Sequence, residues 1–345
     1  MAAPQRTGRT GLRTVAPPTP RMTAIVQDEY GEAEDVLRVE EIDRPQIGDD
    51  EVLLRVHAAG VDRGVWHLMT GLPYAIRLAG YGVRRSRTRV RGREVAGRVE
   101  AVGARVSTLK AGDEVFGVGE GCFAQYARAR ADRLAPAPGT LSAAQAAAVP
   151  LSALTALQAV RDHARVQPGQ RVLVIGASGG VGTFAVQLAT VFGGQVSAVC
   201  STAKMDLVRS LGAEHVIDYT RADITDGHPG YDVILDLAGN RSLAHLRRVL
   251  SPRGTLVIVG GEGKGRWLGG TDRQIRALAL SPFVRHTLKT FVTSENGQDL
   301  AILTGLIDSG QITPVLDRTY PLAQTAAAIS YVAEGRARGK VVITV

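Results

Sequence analysis

The chain has 345 residues, of which 45% are apolar and 21% charged, and it carries a formal net charge of +8. This composition is typical of a globular protein, and the length is sufficient for two domains or one large one. It contains no apolar stretch of about 18 residues, so we expect no transmembrane helix. The two cysteines, Cys122 and Cys200, are too few for a disulfide framework or a four-cysteine zinc site. This cysteine usage fits a reducing cytoplasm, where we expect the protein to act.

The positive charge is concentrated in two parts of the sequence. Residues 1–21 contain four arginines and no acid, and residues 84–93 contain six arginines, namely Arg84, Arg85, Arg87, Arg89, Arg91 and Arg93. Such clusters bind nucleic acid or anionic lipid in some proteins and are merely solvated in others. Neither cluster is interleaved with stacking aromatic residues, so the sequence does not favour nucleic-acid binding.

Residues 1–21 are rich in Pro, Thr, Gly and Arg without periodicity, which predicts a disordered tail. An acid-free start rich in Arg and Thr is also typical of an organelle-import segment. Because Met22 directly precedes the first predicted strand, a nonessential extension or an over-long start is the simpler interpretation.

From Met22 onward the sequence is rich in short alternating apolar segments separated by glycine turns. These predict strands over 23–27, 36–39, 51–58, 94–102 and 114–118. Strands of this length and spacing indicate a barrel-like or partly open β domain.

The residue pattern changes near Leu141, from short alternating apolar segments to an Ala-rich stretch. Residues 141–164 form an Ala-rich predicted helix with Ser142 as its N-cap. Strands then alternate with helices: strands are predicted at 172–175, 195–200, 216–217, 233–235, 255–259 and 288–293, and helices at 181–192, 204–211, 242–250, 271–281, 299–309 and 323–334, before a closing strand at 340–345. This alternation indicates an α/β fold with a parallel sheet covered on both faces by helices.

A glycine-rich turn joins the first of these strands to its helix. The segment 177–182 reads Ala-Ser-Gly-Gly-Val-Gly, and it follows an apolar strand and precedes an amphipathic helix. Glycines in this context let the backbone approach a pyrophosphate, and the helix N-terminus supplies free N–H groups. The turn therefore predicts a dinucleotide site contacted by Ser178, Gly179, Gly180, Val181 and Gly182.

The residues after the second strand of this unit indicate which dinucleotide binds. NAD-specific sites carry an acid there for the ribose 2′-hydroxyl, whereas this chain has no acid before Asp206. Ser201, Thr202 and Lys204 occupy the region instead, and they would accept a 2′-phosphate. We therefore predict NADPH (NADP) as the cofactor, although Lys204 alone is also typical of an exposed first-turn helix residue.

Several motifs, in one fixed order, resemble a known superfamily. They are His57–Asp62 (His-Ala-Ala-Gly-Val-Asp), Glu94–Gly103, Gly112–Gly117, Cys122–Ala127, Leu154–Gln158, the glycine turn, Leu211–Tyr219 and Gly339–Ile343. Together they resemble the medium-chain dehydrogenase/reductase superfamily, in its quinone oxidoreductase (zeta-crystallin-like) branch. The block Trp66–Tyr74 is similar to that of reticulon-4-interacting-protein-like members. The resemblance covers about residues 22–345.

This resemblance implies an architecture and further cofactor contacts. It implies a GroES-like β-rich domain over 22–150, a Rossmann NADP-binding domain over 151–296 and a return of 297–345 to the first domain, with the cofactor in the cleft between them. The further contacts that it implies are Thr155, Tyr219, Ala238, Gly239, Gly260, Gly261 and Lys340. The superfamily also joins sheet edges across a two-fold axis, so the strand at 288–293 is expected to form a homodimer.

Zinc-dependent members of the superfamily place a Cys where this chain has Asp62 and a His where it has Arg93. The loop with four cysteines is also missing, so no metal site is predicted. A rearranged site using the flanking His57 and His67 is the alternative.

Without zinc, hydride transfer is expected to favour acceptors that already delocalise charge, namely quinones and α,β-unsaturated carbonyls. Asp62 and Tyr74 are the candidate catalytic residues, as proton holder and as donor to the substrate oxygen. Structural roles are the alternatives for these two residues: pairing of Asp62 with Arg93, and pocket-wall packing of Tyr74.

Two other functions of the protein stay open. One is an NADPH-binding protein with an RNA-binding or structural role and little turnover, and the other is a zinc-free alcohol dehydrogenase or enoyl reductase of a biosynthetic pathway.

Overall fold

The computed structural model describes residues 20–226, 230–261 and 265–345. The predicted tail lies outside the described residues except for its last two positions, and Arg21 belongs to the first strand rather than to the tail. The strands are β1 Arg21–Val26, β2 Arg38–Asp43, β3 Glu51–Val61, β4 Glu94–Val102, β5 Glu114–Val118, β6 Tyr126–Arg130, β7 Leu134–Pro136, β8 Arg171–Ile175, β9 Gln195–Cys200, β10 His215–Asp218, β11 Tyr231–Asp236, β12 Leu250–Ile258, β13 Thr287–Thr290, β14 Leu316–Pro321 and β15 Lys340–Thr344.

The α-helices connect and cover these strands. They are α1 Ala33–Val36, α2 Arg63–Thr70, α3 Tyr74–Ile76, α4 Ala143–Ala147, α5 Pro150–Gln158, α6 Gly180–Val191, α7 Met205–Ser210, α8 Leu243–Arg248, α9 Thr271–Leu280, α10 Gly297–Asp308 and α11 Thr325–Ala333. Two π-helical turns, Arg77–Tyr81 and Ala159–Ala164, extend α3 and α5. No helix in the described part of the chain is long and apolar enough to cross a bilayer.

The first sheet is mainly antiparallel and runs in the order β14-β15-β3-β4-β5-β7, with β6 also paired to β3. The N-terminal strands β1 and β2 form a separate two-stranded sheet beside it. The two C-terminal strands thus lie in the same sheet as β3, since Val341–Thr344 pair antiparallel with Ala58–Val61. The chain leaves this sheet after β7 and returns to it at β14.

The second sheet is parallel throughout and has the order β10-β9-β8-β11-β12-β13. Side chains of β8 alternate between two cores: Val172 and Val174 pack with Phe184 of α6, whereas Leu173 and Ile175 pack with Leu246 of α8. A strand buried on both faces is typical of a doubly wound sheet with helices on both sides. The predicted fold class, a GroES-like β unit plus a Rossmann parallel sheet, is confirmed.

Two local predictions were wrong. The helix predicted over 141–164 is divided between α4 and α5, because Pro150 lacks the N–H that a continuous helix would need there. The predicted cap is present, since Ser142 and Gln145 form a reciprocal capping box. The strand predicted over 36–39 begins too early and ends too early: Val36 is the last residue of α1, and β2 spans Arg38–Asp43.

Candidate active site

A cleft of about 510 Å³ opens between the carboxyl end of the parallel sheet and the edge of the first sheet. Both parts of the chain line it. Among the predicted site residues, its walls contain Asp62, Ser178, Gly179, Gly180, Val181, Gly182, Ser201, Lys204, Tyr219, Ala238 and Lys340. The fold therefore brings together residues that are up to 278 positions apart in the sequence, the distance from Asp62 to Lys340 (340 − 62).

The glycine turn closes around the N-terminus of α6. Gly176 has a φ of +83°, and a side chain at Gly182 would overlap the carbonyl oxygen of Gly176, so both positions require glycine. Gly179 is the N-cap and offers no side-chain acceptor, which leaves the first N–H groups of α6 available to an anion. These features fit a dinucleotide pyrophosphate.

Lys340 lies against this turn from the opposite side of the cleft. A side chain on Gly180 would come within 2.9 Å of the Lys340 Cδ, and the Gly339 N–H donates to the Ser178 carbonyl oxygen at 2.9 Å. The last strand is thus joined directly to the glycine turn, which places a cation beside the predicted pyrophosphate position.

The partner of Lys340 is Glu94, a residue that the sequence reasoning did not select. Lys340 is 1% exposed and Glu94 is fully buried, and the ammonium donates to the carboxylate. The other carboxylate oxygen, Oε1, accepts the Leu151 N–H at 2.9 Å. Burial raises the pKa of Glu94 to about 7, and the nearby Asp62 carboxylate contributes to the rise.

Asp62 begins α2 and faces the cleft. Its Oδ1 accepts the Val65 N–H at 3.0 Å, so it is the N-cap of this helix. Its Oδ2 is buried and has no hydrogen-bond partner among the described residues. The alternative pairing with Arg93 is wrong, since Arg93 binds Glu295 at 2.8 Å instead. One carboxylate oxygen therefore holds the helix and the other is left for a proton or ligand.

Ser201, Lys204 and Tyr219 form the far end of the cleft, after β9 and β10. The Lys204 ammonium donates to the carbonyl oxygens of Ala337 and Gly335 at 2.7 and 3.2 Å. Burial and then the charge of Arg338 lower the pKa of Lys204. Arg338 does not line the cleft, but it is a second cation near Lys204 that the sequence reasoning missed.

Five predicted contacts have their polar groups engaged elsewhere and do not line the cleft. Thr202 donates to the Asp218 carboxylate, and Thr155 bonds the Leu151 carbonyl oxygen at 2.6 Å. The Gly239 and Gly260 N–H groups both bond Asp236 at 3.1 Å, and the Gly261 carbonyl oxygen accepts the Gly270 N–H at 2.9 Å. Thr155 lies within α5, and the other four residues follow the ends of strands β9, β11 and β12. A direct cofactor contact from any of the five stays a prediction.

The sequence and the fold both match known oxidoreductases. Residues 48–139 match the alcohol dehydrogenase GroES-like domain family, and residues 211–343 match the zinc-binding dehydrogenase family. The chain is 34% identical over 338 residues to the 2-methylene-furan-3-one reductase of Solanum lycopersicum, covering 93% of this chain and 79% of that protein. It is 34% identical over 343 residues to the chloroplastic NADPH-dependent alkenal/one oxidoreductase of Arabidopsis thaliana, with the same coverage of 93% and 79%.

Among solved structures, the quinone oxidoreductase from Coxiella burnetii superposes with a TM-score of 0.82 at 25% identity, over 94% of this chain and 100% of that one. The chain belongs to the medium-chain dehydrogenase/reductase superfamily, in its quinone oxidoreductase branch. The resemblance found in the sequence motifs is confirmed.

The zinc positions of this superfamily do not fit a metal in this chain. Asp62 caps a helix, and Arg93 is a cation held by Glu295. His57 lies 3.5 Å from Glu114, while His67 contacts the Leu72 carbonyl oxygen at 2.8 Å, so the two do not form a rearranged site together. Over residues 20–226, 230–261 and 265–345, no three His, Cys, Asp or Glu side chains come close enough to hold a metal ion.

Tyr74 joins the two halves of this dehydrogenase/reductase fold but does not line the cleft. Its ring packs edge-on against Trp267, with ring centres 5.4 Å apart, and the Arg77 guanidinium lies 4.9 Å from it. Its N–H donates to the Arg266 carbonyl oxygen at 2.7 Å. These contacts support the packing alternative, and its role as a donor stays a prediction.

Proposed function

We propose that the protein transfers hydride from NADPH to a quinone or an α,β-unsaturated carbonyl compound without zinc. One observation carries this proposal: a single cleft has the open N-terminus of α6 on one wall and Asp62, in place of a zinc ligand, on another. The names of the Solanum and Arabidopsis relatives, a furanone reductase and an alkenal/one oxidoreductase, support the same reaction class.

NADPH is proposed over NADH because the far end of the cleft is cationic. Lys204 and Arg338 are close enough for the charge of Arg338 to affect the Lys204 pKa, and Ser201 supplies a hydroxyl donor. A 2′-phosphate carries nearly two negative charges, so it gains charge-assisted hydrogen bonds there. The adenosine ribose of NADH offers no comparable anion to this end.

Bound NADPH supplies the hydride, and the residues of the chain bind, orient and provide the proton. The first turn of α6 would hold the pyrophosphate and thereby position the nicotinamide, and the buried Lys340–Glu94 pair would support this turn from β15. Reduction of an enone also requires one proton, delivered to the enolate that hydride addition leaves. Asp62 Oδ2 is the carboxylate oxygen at the cleft that has no hydrogen-bond partner among the described residues, and burial raises the pKa of the neighbouring Glu94 carboxyl group.

Conjugated acceptors are proposed because a helix-capping Asp62 and a paired Arg93 occupy the positions where zinc-dependent members place a Cys and a His. A quinone or enone spreads the incoming charge over its own oxygen, so orientation and a proton donor suffice. An unactivated ketone lacks this route. None of the contacts in the cleft favours the alternative functions as an RNA-binding protein or an alcohol dehydrogenase.

We also propose a homodimer formed through β13. This strand is the edge of the parallel sheet, and the neighbouring Val292 and Phe283 are exposed apolar residues. An unpaired edge with exposed apolar neighbours favours pairing with a second copy across a two-fold axis. Light scattering coupled to size exclusion chromatography measures the mass of the protein in solution and so tests the dimer.

For the cellular location we propose the reducing cytoplasm, because Cys122 and Cys200 are both free and buried.

The function is tested by NADPH oxidation against a panel of quinones, alkenals, cyclic enones, simple ketones and alcohols, with zinc measured in the same sample. We expect turnover with conjugated acceptors and with zinc far below one atom per chain. Stoichiometric tightly bound zinc together with activity lost on chelation would overturn the zinc-free mechanism. A lower KM for NADH than for NADPH would overturn the cofactor preference.

A further inference from the structure

The fold divides the arginine cluster of residues 84–93 into two sets with different surroundings. Arg89, Arg91 and Arg93 are engaged: Arg89 pairs with Asp28 and Glu40, Arg91 is buried against Gln27, and Arg93 pairs with Glu295. Arg84, Arg85 and Arg87 are exposed, and no carboxylate in the described part of the chain pairs with them. Three neighbouring positive charges therefore remain exposed and unpaired with any carboxylate among the described residues.

The backbone that carries these three arginines is held in place. The Tyr30 hydroxyl donates to the carbonyl oxygens of Gly82 and Tyr81 at 2.7 and 3.1 Å, and the Arg77 guanidinium lies 4.3 Å from the Tyr30 ring. The Arg87 N–H donates to the Tyr81 carbonyl oxygen at 3.1 Å. The main chain at Tyr81, Gly82 and Arg87 is thus tied to the body of the protein, whereas the side chains of Arg84, Arg85 and Arg87 are exposed.

Large apolar side chains stand exposed beside these charges. Leu78 and Val83 are 75% and 62% exposed, and Trp267, which packs on Tyr74 from the loop between β12 and α9, is 72% exposed. Single exposed apolar residues are ordinary, but several next to unpaired arginines are typical of interaction sites. We call this surface, Leu78, Tyr81, Val83, Arg84, Arg85, Arg87, Trp267 and Leu268, the basic apolar rim.

We propose that the basic apolar rim docks the protein on a membrane surface that contains anionic lipid. The arginines complement phosphate and carboxylate headgroups, and the apolar side chains are buried at the boundary with the acyl chains. A nucleic acid would engage the arginines but would leave Leu78 and Val83 in water. A second copy joined about a two-fold axis through this surface would bring the unpaired arginines of the two chains together, so like charges oppose that occupant.

Docking at this place has a consequence for substrate access. The rim includes the junction where Ala75 donates to the Trp267 carbonyl oxygen at 3.1 Å, so it spans both halves of the fold. An apolar acceptor dissolved in a bilayer would then be concentrated beside the protein. This docking does not depend on NADPH, and its failure would leave the proposed reaction intact.

The test is co-sedimentation of the full chain with vesicles of phosphatidylcholine, alone or mixed with phosphatidylserine. We expect binding to the mixed vesicles that weakens as salt screens the charges. Replacing Arg84, Arg85 and Arg87 together by Ala should lower the partition coefficient roughly 100-fold, since each basic residue near an anionic surface contributes several-fold. Leu78→Ser with Val83→Ser should weaken binding in low and high salt alike.

Two matched variants that remove the same charge serve as controls. Arg105→Ala with Arg130→Ala and Arg209→Ala removes exposed arginines elsewhere on the surface, which pair with Asp50, Asp132 and Asp206. Arg6→Ala with Arg9→Ala and Arg13→Ala removes three arginines of the tail. Both should bind as the unchanged chain does. Equal loss in either control, no preference for the mixed vesicles, or binding of single-stranded RNA in place of vesicles with the same arginine dependence would overturn the proposal.

Discussion

The Lys340 ammonium donates to the Glu94 carboxylate in a site where both side chains are closed to solvent, and it does so directly beneath the glycine turn. Glu94 belongs to β4 in the first sheet, and Lys340 opens the returning strand β15. Because the Leu151 N–H also binds Glu94, this one carboxylate joins β4, β15 and the first turn of α5. The pair therefore holds β4, β15 and α5 together beside the glycine turn and so fixes the shape of the cleft there.

Removing the charge of Glu94 should destabilise the protein strongly. Glu94→Gln keeps an acceptor for the Leu151 N–H but leaves Lys340 buried without a counter-charge, which costs about 3–5 kcal/mol in comparable cases. Urea unfolding measures the change in the free energy of unfolding. Glu94→Gln with Lys340→Met removes both charges and should recover most of the loss, whereas additive losses in the double variant would show that the pair is not coupled.

Cofactor affinity should rise as the pH falls through 7. Burial holds the pKa of Glu94 at about 7, above its ordinary value, and a pyrophosphate beside Lys340 would raise it further by adding negative charge. A group whose pKa rises on binding takes up a proton, so binding is tighter at pH 6 than at pH 8. Calorimetry in buffers of different ionisation enthalpy counts the protons taken up.

The 2′-phosphate of NADPH has an ordinary pKa of about 6, and its deprotonation on binding would release a proton, opposite to the uptake by Glu94. Titrations with NADH, which lacks this phosphate, therefore isolate the contribution of Glu94. In the double variant Glu94→Gln with Lys340→Met, proton uptake should vanish. Uptake that persists in this variant would assign the proton to another group.

Periodicity and turn residues predicted every strand of the parallel sheet, because such strands follow from local patterns, but in the first sheet they missed β6, β7 and β14. The bounds of β4, β5 and β9 agree with the predicted strands. The pairing of Arg93 with Glu295 joins residues 202 positions apart, and no local pattern reports such a contact. Glu94 was missed for the same reason, since its partner Lys340 is known only once β15 lies near the first sheet.

The predicted cofactor residues likewise divide into those placed by one continuous segment and those whose contacts depend on a neighbouring strand. Those in the glycine turn line the cleft because their position follows from one continuous strand–turn–helix unit. Thr202 was predicted from its place after β9, but Asp218 at the end of β10 takes its hydroxyl. Which of two neighbouring hydroxyls faces a ligand depends on the adjacent strand, and the sequence of one strand does not contain that information.

The choice between NADPH and NADH should reverse when an acid is introduced after β9. Ser201→Asp places a carboxylate where the 2′-phosphate is expected, and like-charge repulsion should raise KM for NADPH by about 100-fold or more. KM for NADH should stay level or fall. The matched control is Thr202→Ala, which should leave both KM values within a few-fold because Thr202 is bonded to Asp218. Equal effects of the two variants would refute the assignment of Ser201.

The proton holder in the cleft can be separated from a structural residue at Asp62. Asp62→Asn retains an oxygen that accepts the Val65 N–H, so α2 keeps its cap and the fold should be unaffected. It cannot hold a proton for transfer, so kcat with an enone should fall by about 10²–10⁴-fold while the Kd for NADPH stays within a few-fold. Tyr74→Phe is the comparison, because the ring contact with Trp267 survives loss of the hydroxyl. If Tyr74→Phe lowers kcat and Asp62→Asn does not, the donor is the tyrosine, and Asp62 serves only to begin its helix.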